Sequence, residues 1–396
     1  MGKVIVHIDL NAFFVRAEEI KDPSLEGKAV AVGHEGRCGI VSTCSYKARE
    51  YGVRSGMPMF KAKELCPHLI IKHDDFRYYG TLSRAFFKFV QSYTKQVEKA
   101  SVDECYADFT DVIKGVKDVE GFFKKMQEDL FKQTKFKCSI GVGATKFLAK
   151  MGSDYKKPMG LTIIRKKDIP NILYPLPIGD LYGIGKKSAP RLQNIGINTI
   201  GDFAERCNRD DPELINVMGK FYYVVKDWIN GYGDDTVSTE PWDPKSIGNS
   251  STFSHDTNSF DEIKQMFENL SKEVSDRCIK ENKVCTTVQI VVKETNFVSH
   301  NKSCTLKSPT NDWKIIFDKA CDLYEKNFLD LTVRLVGVTL QNLIDPKDVT
   351  IQMSLFDYEK HEEESTTKLL INELNRKLEK PLLVRASEVK GKRKEK

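Results

Sequence analysis

Three acidic residues sit where strand-like segments end. Asp9 follows the apolar run Val4, Ile5, Val6 and Ile8, while Asp103 and Glu104 lie in SVDECYAD, between two runs that read as the strands of one hairpin. Carboxylates at strand ends can converge on one side of a sheet. Crowded together they repel and raise one another's pKa unless cations bind between them, and hard oxygen ligands select magnesium or manganese. Two such ions about 4 Å apart can activate a 3′-hydroxyl, neutralise a triphosphate and stabilise a leaving pyrophosphate. Taken singly, each acid is more readily a cap of local structure.

The elements that would position these acids follow from periodicity. A buried strand delivers Asp9, and a helical pattern runs from Ala12 to Ile20. Strands are expected at Ala29 to Val32, Gly39 to Thr43, Val97 to Val102, Tyr106 to Phe109 and Phe136 to Val142; helices are expected at Tyr46 to Tyr51, Tyr78 to Tyr93 and Gly121 to Gln133. Strand and helix alternate to about residue 165. Proline-punctuated sequence at Ile169 to Pro177 leads into a glycine-turned helical block over about 178–235. Pro241 to Ser251 reads as a second linker. After it the pattern is a helix, a strand pair (Thr286 to Val292, Phe297 to Leu306), a helix from Asp312 and a strand from Thr332 to Leu340. Beyond Asp345 the chain is polar and ends in a Lys/Arg-rich tail. No internal repeat is visible.

At 396 residues the chain is too long for one ordinary core. No apolar run approaches the roughly 20 residues needed to cross a bilayer, and the N-terminus lacks a secretory pattern, so a cytoplasmic protein with no membrane role is expected. Ten scattered cysteines form no CxxC pair and read as reduced thiols rather than zinc ligands. A net charge of +6 permits a polyanionic partner without demanding one.

HIDLNAFFVRAEE, STCSYKAREYGVRSGMP, ASVDECYADFT and GVGATKFLAKMGSDYKKPMG, in that order and spacing, resemble the successive palm and finger motifs of Y-family (translesion) DNA polymerases, nearest the bacterial DinB branch. The resemblance covers about 345 residues, from the N-terminus through the region before the tail. It implies an α+β multi-domain chain of right-hand architecture: a ferredoxin-like palm (1–19 and 75–167), fingers (20–74), a helical thumb with a helix-hairpin-helix (168–240), an α+β little finger (241–345) and a tail (346–396). It also implies template-directed addition of deoxynucleotides to a primer opposite damaged or undamaged template, without proofreading, using two magnesium ions that manganese can replace.

Carried over by motif, Asp9, Asp103 and Glu104 are the catalytic, metal-binding carboxylates, with the Leu10 carbonyl as a further ligand. Phe14 matches the steric gate, a ring that leaves no room for a ribose hydroxyl, while Phe13 reads as core. Tyr46 and Arg49 share a helical face, Thr43 is read at that helix's start, and with Lys157 they match the set that binds the dNTP triphosphate. Lys146, Lys150 and Asp154 belong to the same motif, and Ile40 and Ser42 would roof the nascent base pair.

LYGIGKKSAPRLQNIGINTIGDFA resembles a helix-hairpin-helix, in which Gly183 and Gly185 let backbone N–H groups approach DNA phosphate and Lys186 and Lys187 add charge. Lys283, Lys293, Lys302 and Lys307 accompany the later strand pair and suit phosphate tracking, with Thr252 and Ser254 beside them. Gln352, Leu355 and Phe356, in QMSLF, resemble the peptide that docks on the bacterial sliding clamp. The expected partners are therefore primer-template DNA, dNTP and the clamp, for a monomeric enzyme. Two rivals stand beside this reading. A non-catalytic clamp- and DNA-binding scaffold of the same family would lack one or more acids, and a different palm-based nucleotidyl transferase would lack the thumb, little finger and clamp peptide.

Overall fold

The computed structural model describes residues 2–349, so the expected clamp peptide at Gln352 to Phe356 lies outside the described residues. The chain divides into two compact units, one up to Trp242 and one from Asp243. In chain order the first begins β1 (Ile5–Leu10), α1 (Phe13–Lys21), β2 (Val30–Gly33), β3 (Val41–Cys44), α2 (Tyr46–Glu50), α3 (Met59–Leu65) and β4 (Ile70–Lys72). It continues with α4 (Phe76–Gln91), β5 (Val97–Lys99), β6 (Glu104–Asp108), α5 (Val119–Thr134), β7 (Cys138–Gly143), α6 (Lys146–Tyr155) and β8 (Leu161–Ile164). Five helices close it: α7 (Ile169–Ile172), α8 (Ala189–Gln193), α9 (Ile200–Asn208), α10 (Pro212–Met218) and α11 (Phe221–Ile229).

β1 is the middle strand of a five-stranded sheet ordered β5-β6-β1-β7-β8. Its alternation gives it two different faces. Val6, Ile8 and Leu10 enter a core built with α1, α4 and α5 around Phe13, Tyr79, Phe86, Phe109 and Phe123. Ile5, His7 and Asp9 point the other way, toward α6. Helix α6 is capped by Thr145, whose hydroxyl accepts the Leu148 N–H. Its apolar residues Phe147, Leu148 and Met151 belong to the core of the adjoining helical block, and Phe147 stacks on Trp228 at 5.1 Å. α6 thus joins sheet and helical block. A three-stranded sheet ordered β3-β2-β4 carries its own small core around Ala31, Val41, Ala48 and Met59.

The second unit comprises β9 (Ser246–Thr257), α12 (Phe260–Lys280), β10 (Val284–Glu294), β11 (Ser299–Thr310), α13 (Trp313–Asn327) and β12 (Val333–Ile344), with sheet order β11-β10-β12-β9. Both long helices bury one stripe on the sheet, around Phe267, Val274, Val288, Val336 and Tyr324.

The structure departs from the expected elements in places with a physical cause. The stretch read as a linker to Ser251 becomes β9 from Ser246, because an edge strand paired only to β12 needs few apolar residues, here Ile247 and Phe253. β5 stops at Lys99, since the Ala100 and Ser101 N–H groups both turn back to the Glu104 carbonyl and form the bend that carries Asp103. β4 and β8 are three and four residues long, too short to show a period. All ten cysteines are reduced; eight are buried, Cys105 on β6 and Cys138 on β7 among them.

The approach of α6 to β7 is set by glycine. A Cβ on Gly141 would stand 1.9 Å from the Ala149 carbonyl oxygen and 2.2 Å from the Ser153 nitrogen, and one on Gly152 would stand 3.0 Å from the Gly141 Cα. Gly141→Ala is therefore expected to push the helix off the sheet and to destabilise the first unit by about 1–3 kcal/mol, read as a fall in the thermal unfolding midpoint.

Candidate active site at the end of the central strand

Register alone brings the acids together. Asp9 on β1 pairs directly with Glu104 on β6 and with Ser139 on β7. Directly opposed residues share a face, with Cβ atoms roughly 4.5–5.5 Å apart, and like charges so placed are destabilising. Asp103 occupies the bend one residue earlier; its carbonyl accepts the Leu10 N–H at 3.0 Å, and its carboxylate accepts from the Ser101 hydroxyl at 2.6 Å. Among the described residues, the side chains in ion-pair reach of Asp9 and Glu104 are two lysines and a histidine.

Lys150 Nζ lies 2.8 Å from Glu104 Oε2, 3.4 Å from Asp9 Oδ2 and 3.5 Å from Asp154 Oδ2. Lys157 Nζ lies 2.7 Å from Asp9 Oδ2 and 2.8 Å from Asp154 Oδ1. Burial would pull both ammonium groups down, yet Asp154, Asp9 and Glu104 around Lys150, and Asp9 and Asp154 around Lys157, hold them above the usual lysine range. Glu104 is drawn down to about 2 by the His7 ring and then by Lys150, against burial. Asp103 moves the other way: burial, and then the charges of Asp9 and Glu104, push its carboxyl up. Four carboxylates thus face two lysines, and the two acids in excess leave room for added positive charge, most of all beside Asp103. Hard oxygen donors in this number suit a magnesium-class cation. A ring nitrogen of His7 and one oxygen each of Asp9 and Glu104 fall within 4.8 Å of one another.

Lys157 is held from behind by two buried carboxamides. Asn11 Oδ1 accepts the Met159 N–H at 2.8 Å while its Nδ2 donates to Ser139 Oγ at 2.9 Å. Gln127 Nε2 donates to the Cys138 carbonyl at 2.9 Å and to those of Met159 and Gly160 at 3.4 and 3.3 Å. Together they tie the loop carrying Lys157 to the strand end carrying Asp9. Neither residue stands out in the sequence, because a buried amide has no period and Asn11 looks like part of a turn.

Phe14, half-buried on α1, stacks on Tyr79 at 4.6 Å with 18° between the rings, and Phe76 meets its edge at 5.8 Å. Tyr79 is fixed in turn by donating to Glu18 at 2.8 Å. Phe13 is buried in the core, as its sequence position suggests. Tyr46 and Arg49 do share a face, the guanidinium lying 4.6 Å over the ring, and Arg49 also donates to the Cys44 carbonyl at 3.3 Å. Thr43, read as the start of that helix, is instead on β3 opposite Val32; Ser45 is the cap, accepting the Ala48 N–H at 3.1 Å. Ile40 and Ser42 are exposed.

In the helical block, Gly183 has φ +88°, and a Cβ there would meet Phe221 at 2.6 Å, so this turn requires glycine. Gly185 faces open space, and Lys186 and Lys187 are exposed. In the second unit the lysines divide. Lys283 is buried in ion pairs with Asp243 at 2.7 Å and Asp345 at 3.4 Å, which corrects its reading as a phosphate contact. Lys293 pairs with Ser299 on the sheet face opposite the helices, whereas Lys302 pairs with buried Ile290 and so stands at the edge of the helix-bearing side.

Comparison with known proteins gives a consistent answer. Residues 8–154 match the impB/mucB/samB family, 244–355 match its C-terminal domain, and 166–197 match its helix-hairpin-helix motif. DNA polymerase IV of Bacillus velezensis is 37% identical over 392 residues, spanning 98% of this chain and 94% of that one. DNA polymerase IV 1 of Bacillus subtilis is 36% identical with the same coverage. DNA polymerase IV of Ureaplasma parvum is 33% identical over 90% of this chain and 98% of its own. Among solved structures, a Y-family DNA polymerase chimera superposes with a TM-score of 0.76 at 26% identity, covering 86% of this chain and 99% of the other.

Proposed function

The chain belongs to the impB/mucB/samB family and is a DinB-type, Y-family DNA-directed DNA polymerase; from that premise we propose how its residues divide the reaction. On this reading the palm spans 1–19 and 75–167, the fingers 20–74, the thumb 168–240 and the little finger 241–345. The observation that carries the assignment is the cross-strand pair of Asp9 and Glu104, with Asp103 on the adjoining bend and, among the described residues, two lysines in ion-pair contact with them. Asp9, Asp103, Glu104 and the Leu10 carbonyl would hold two magnesium ions, or manganese in their place. When bound, such ions supply the positive charge that favours attack by the primer 3′-hydroxyl and departure of pyrophosphate.

Lys157, Arg49, Tyr46 and Thr43 bind the triphosphate, and the ion pairs of Lys157 with Asp9 and Asp154 are exchanged for phosphate oxygens as the nucleotide enters. Phe14 presents its free face to the sugar, and the Tyr79 stack keeps it from turning aside to admit a 2′-hydroxyl. Gly183, Gly185 and Lys186 contact DNA phosphate without reading sequence, and Lys293, on the open sheet face, serves this role better than Lys302. Gln352, Leu355 and Phe356 recruit the sliding clamp, which raises processivity by tethering a monomeric, distributive enzyme. Among the described residues no helix is long and apolar enough to cross a membrane.

Asp103→Ala and Glu104→Ala should each lower primer extension roughly 100-fold or more while primer-template binding stays near wild type; extension close to wild type would remove the carboxylate assignment. Phe14→Ala should raise ribonucleotide use about tenfold or more relative to deoxynucleotide, measured by single-nucleotide incorporation, and unchanged discrimination would place the gate elsewhere. Truncation before Gln352 should spare synthesis by the enzyme alone and abolish its stimulation by added clamp; retained stimulation would sink the peptide assignment.

A further inference from the structure

One side chain in contact with the acids takes no part in binding metal, nucleotide or DNA as assigned so far. His7 lies on β1 two residues before Asp9, its side chain fully buried beneath α6. Its ring packs 4.7 Å from that of Tyr106. Nδ1 is 2.8 Å from the Ser153 hydroxyl, and Nε2 points toward Glu104 Oε2 at 3.4 Å with no partner in hydrogen-bonding geometry. A buried ring nitrogen left unpaired is costly, and Glu104 is the acceptor within its reach.

The Ser153 hydroxyl has one proton to give. Two acceptors lie within its reach, the Lys150 carbonyl at 2.9 Å and His7 Nδ1 at 2.8 Å; the Glu104 carboxylate facing Nε2 favours the tautomer with its hydrogen there, which leaves Nδ1 to accept from Ser153. A ring that accepts at Nδ1 is neutral with its hydrogen on Nε2, which is the hydrogen Glu104 lacks. Gly141, paired with His7 across β1 and β7, is what lets α6 come close enough for Ser153 to reach the ring.

We propose that His7 is a positioning residue for the metal site: the chain Ser153 hydroxyl to His7 Nδ1, His7 Nε2–H to Glu104 Oε2, orients the Glu104 carboxylate so that its other oxygen faces the cation. The inference rests on the proposed role of Glu104 as a metal ligand. Buried groups that orient a ligand in this way are worth about 10–100-fold in metal affinity. They act through the ligand and do not touch the ion themselves.

The test is Mn2+ binding by the full chain in a complex with a dideoxy-terminated primer, template and matching dNTP, monitored by the electron paramagnetic resonance of free and bound Mn2+. His7→Phe keeps a planar ring without donors and should weaken Mn2+ about tenfold or more. His7→Gln, whose amide can donate from nearly the Nε2 position, should restore most of that loss. Ser153→Ala, the mildest change to the packing, should weaken binding in the same direction by less. The proposal falls if His7→Phe or Ser153→Ala binds Mn2+ like wild type, or if His7→Gln is no better than His7→Phe. It also falls if bound Mn2+ shows the nitrogen hyperfine coupling of a directly ligated imidazole. Glu104→Gln separates the two levels: loss of binding there with no effect at His7 overturns the relay alone, whereas wild-type binding by Glu104→Gln overturns the carboxylate site itself.

Discussion

Two carboxylates placed directly across a strand pair repel, and much of the first unit can be understood as what it takes to keep Asp9 and Glu104 there. Their backbones are fixed by five paired positions between β1 and β6 and six between β1 and β7, so neither acid can retreat. Relief has to come as positive charge from outside the sheet. α6 supplies it, with Lys150 reaching both acids and Lys157 reaching Asp9 from just past the helix end. That reach depends on Gly141 and Gly152, which let the helix lie nearly backbone to backbone on β7. The same closeness encloses His7. Charge, packing and the buried polar chain are thus consequences of one contact between a helix and a strand.

The lysines offset only part of the negative charge, and this incompleteness is what makes the arrangement useful. A site fully neutralised by its own side chains would have no affinity for cations, and a site with none would strain the sheet. Among the described residues the contacts of Lys150 and Lys157 fall on Asp9, Glu104 and Asp154, so the shortage of positive charge is greatest on the bend that carries Asp103. Beyond Lys99 the pairing of β5 with β6 ends, and the bend is held instead by the Ala100 and Ser101 N–H groups on the Glu104 carbonyl and by the Leu10 N–H on the Asp103 carbonyl. Asn11 and Gln127 secure the opposite side, so that the loop with Lys157 keeps its place relative to Asp9.

Much of this was legible in the chain because chemistry-bearing residues sit at the ends of well-patterned elements. An apolar run stopping at Asp9, a hairpin pattern around Asp103 and Glu104, and Tyr46 and Arg49 three residues apart all translate directly into placement. What escaped the sequence depends on contacts between distant segments. His7 looks like one polar residue in a strand, and only the register with Gly141 and the overlying Ser153 give it a role. Lys283 looks like any strand-end lysine until Asp243 and Asp345 close around it. β9 hides in a Ser/Asn-rich stretch because an edge strand needs its backbone more than its side chains. Thr43 reads as the start of α2 until the pairing of β3 with β2 takes it into the strand and leaves Ser45 to cap the helix.

The placement of the thiols has a consequence of its own. Burial pushes up the thiols of Cys105 and Cys138, which flank the central strand on either side, and holds Cys207, Cys278 and Cys321 at about 11 and Cys285 at about 12. A thiol that stays protonated is a poor target for peroxide and for electrophiles, since the thiolate is the reactive form. In the five-stranded sheet the two sulfurs beside the central strand are buried and protonated, poor targets for the agents that oxidise or alkylate the bases of a template.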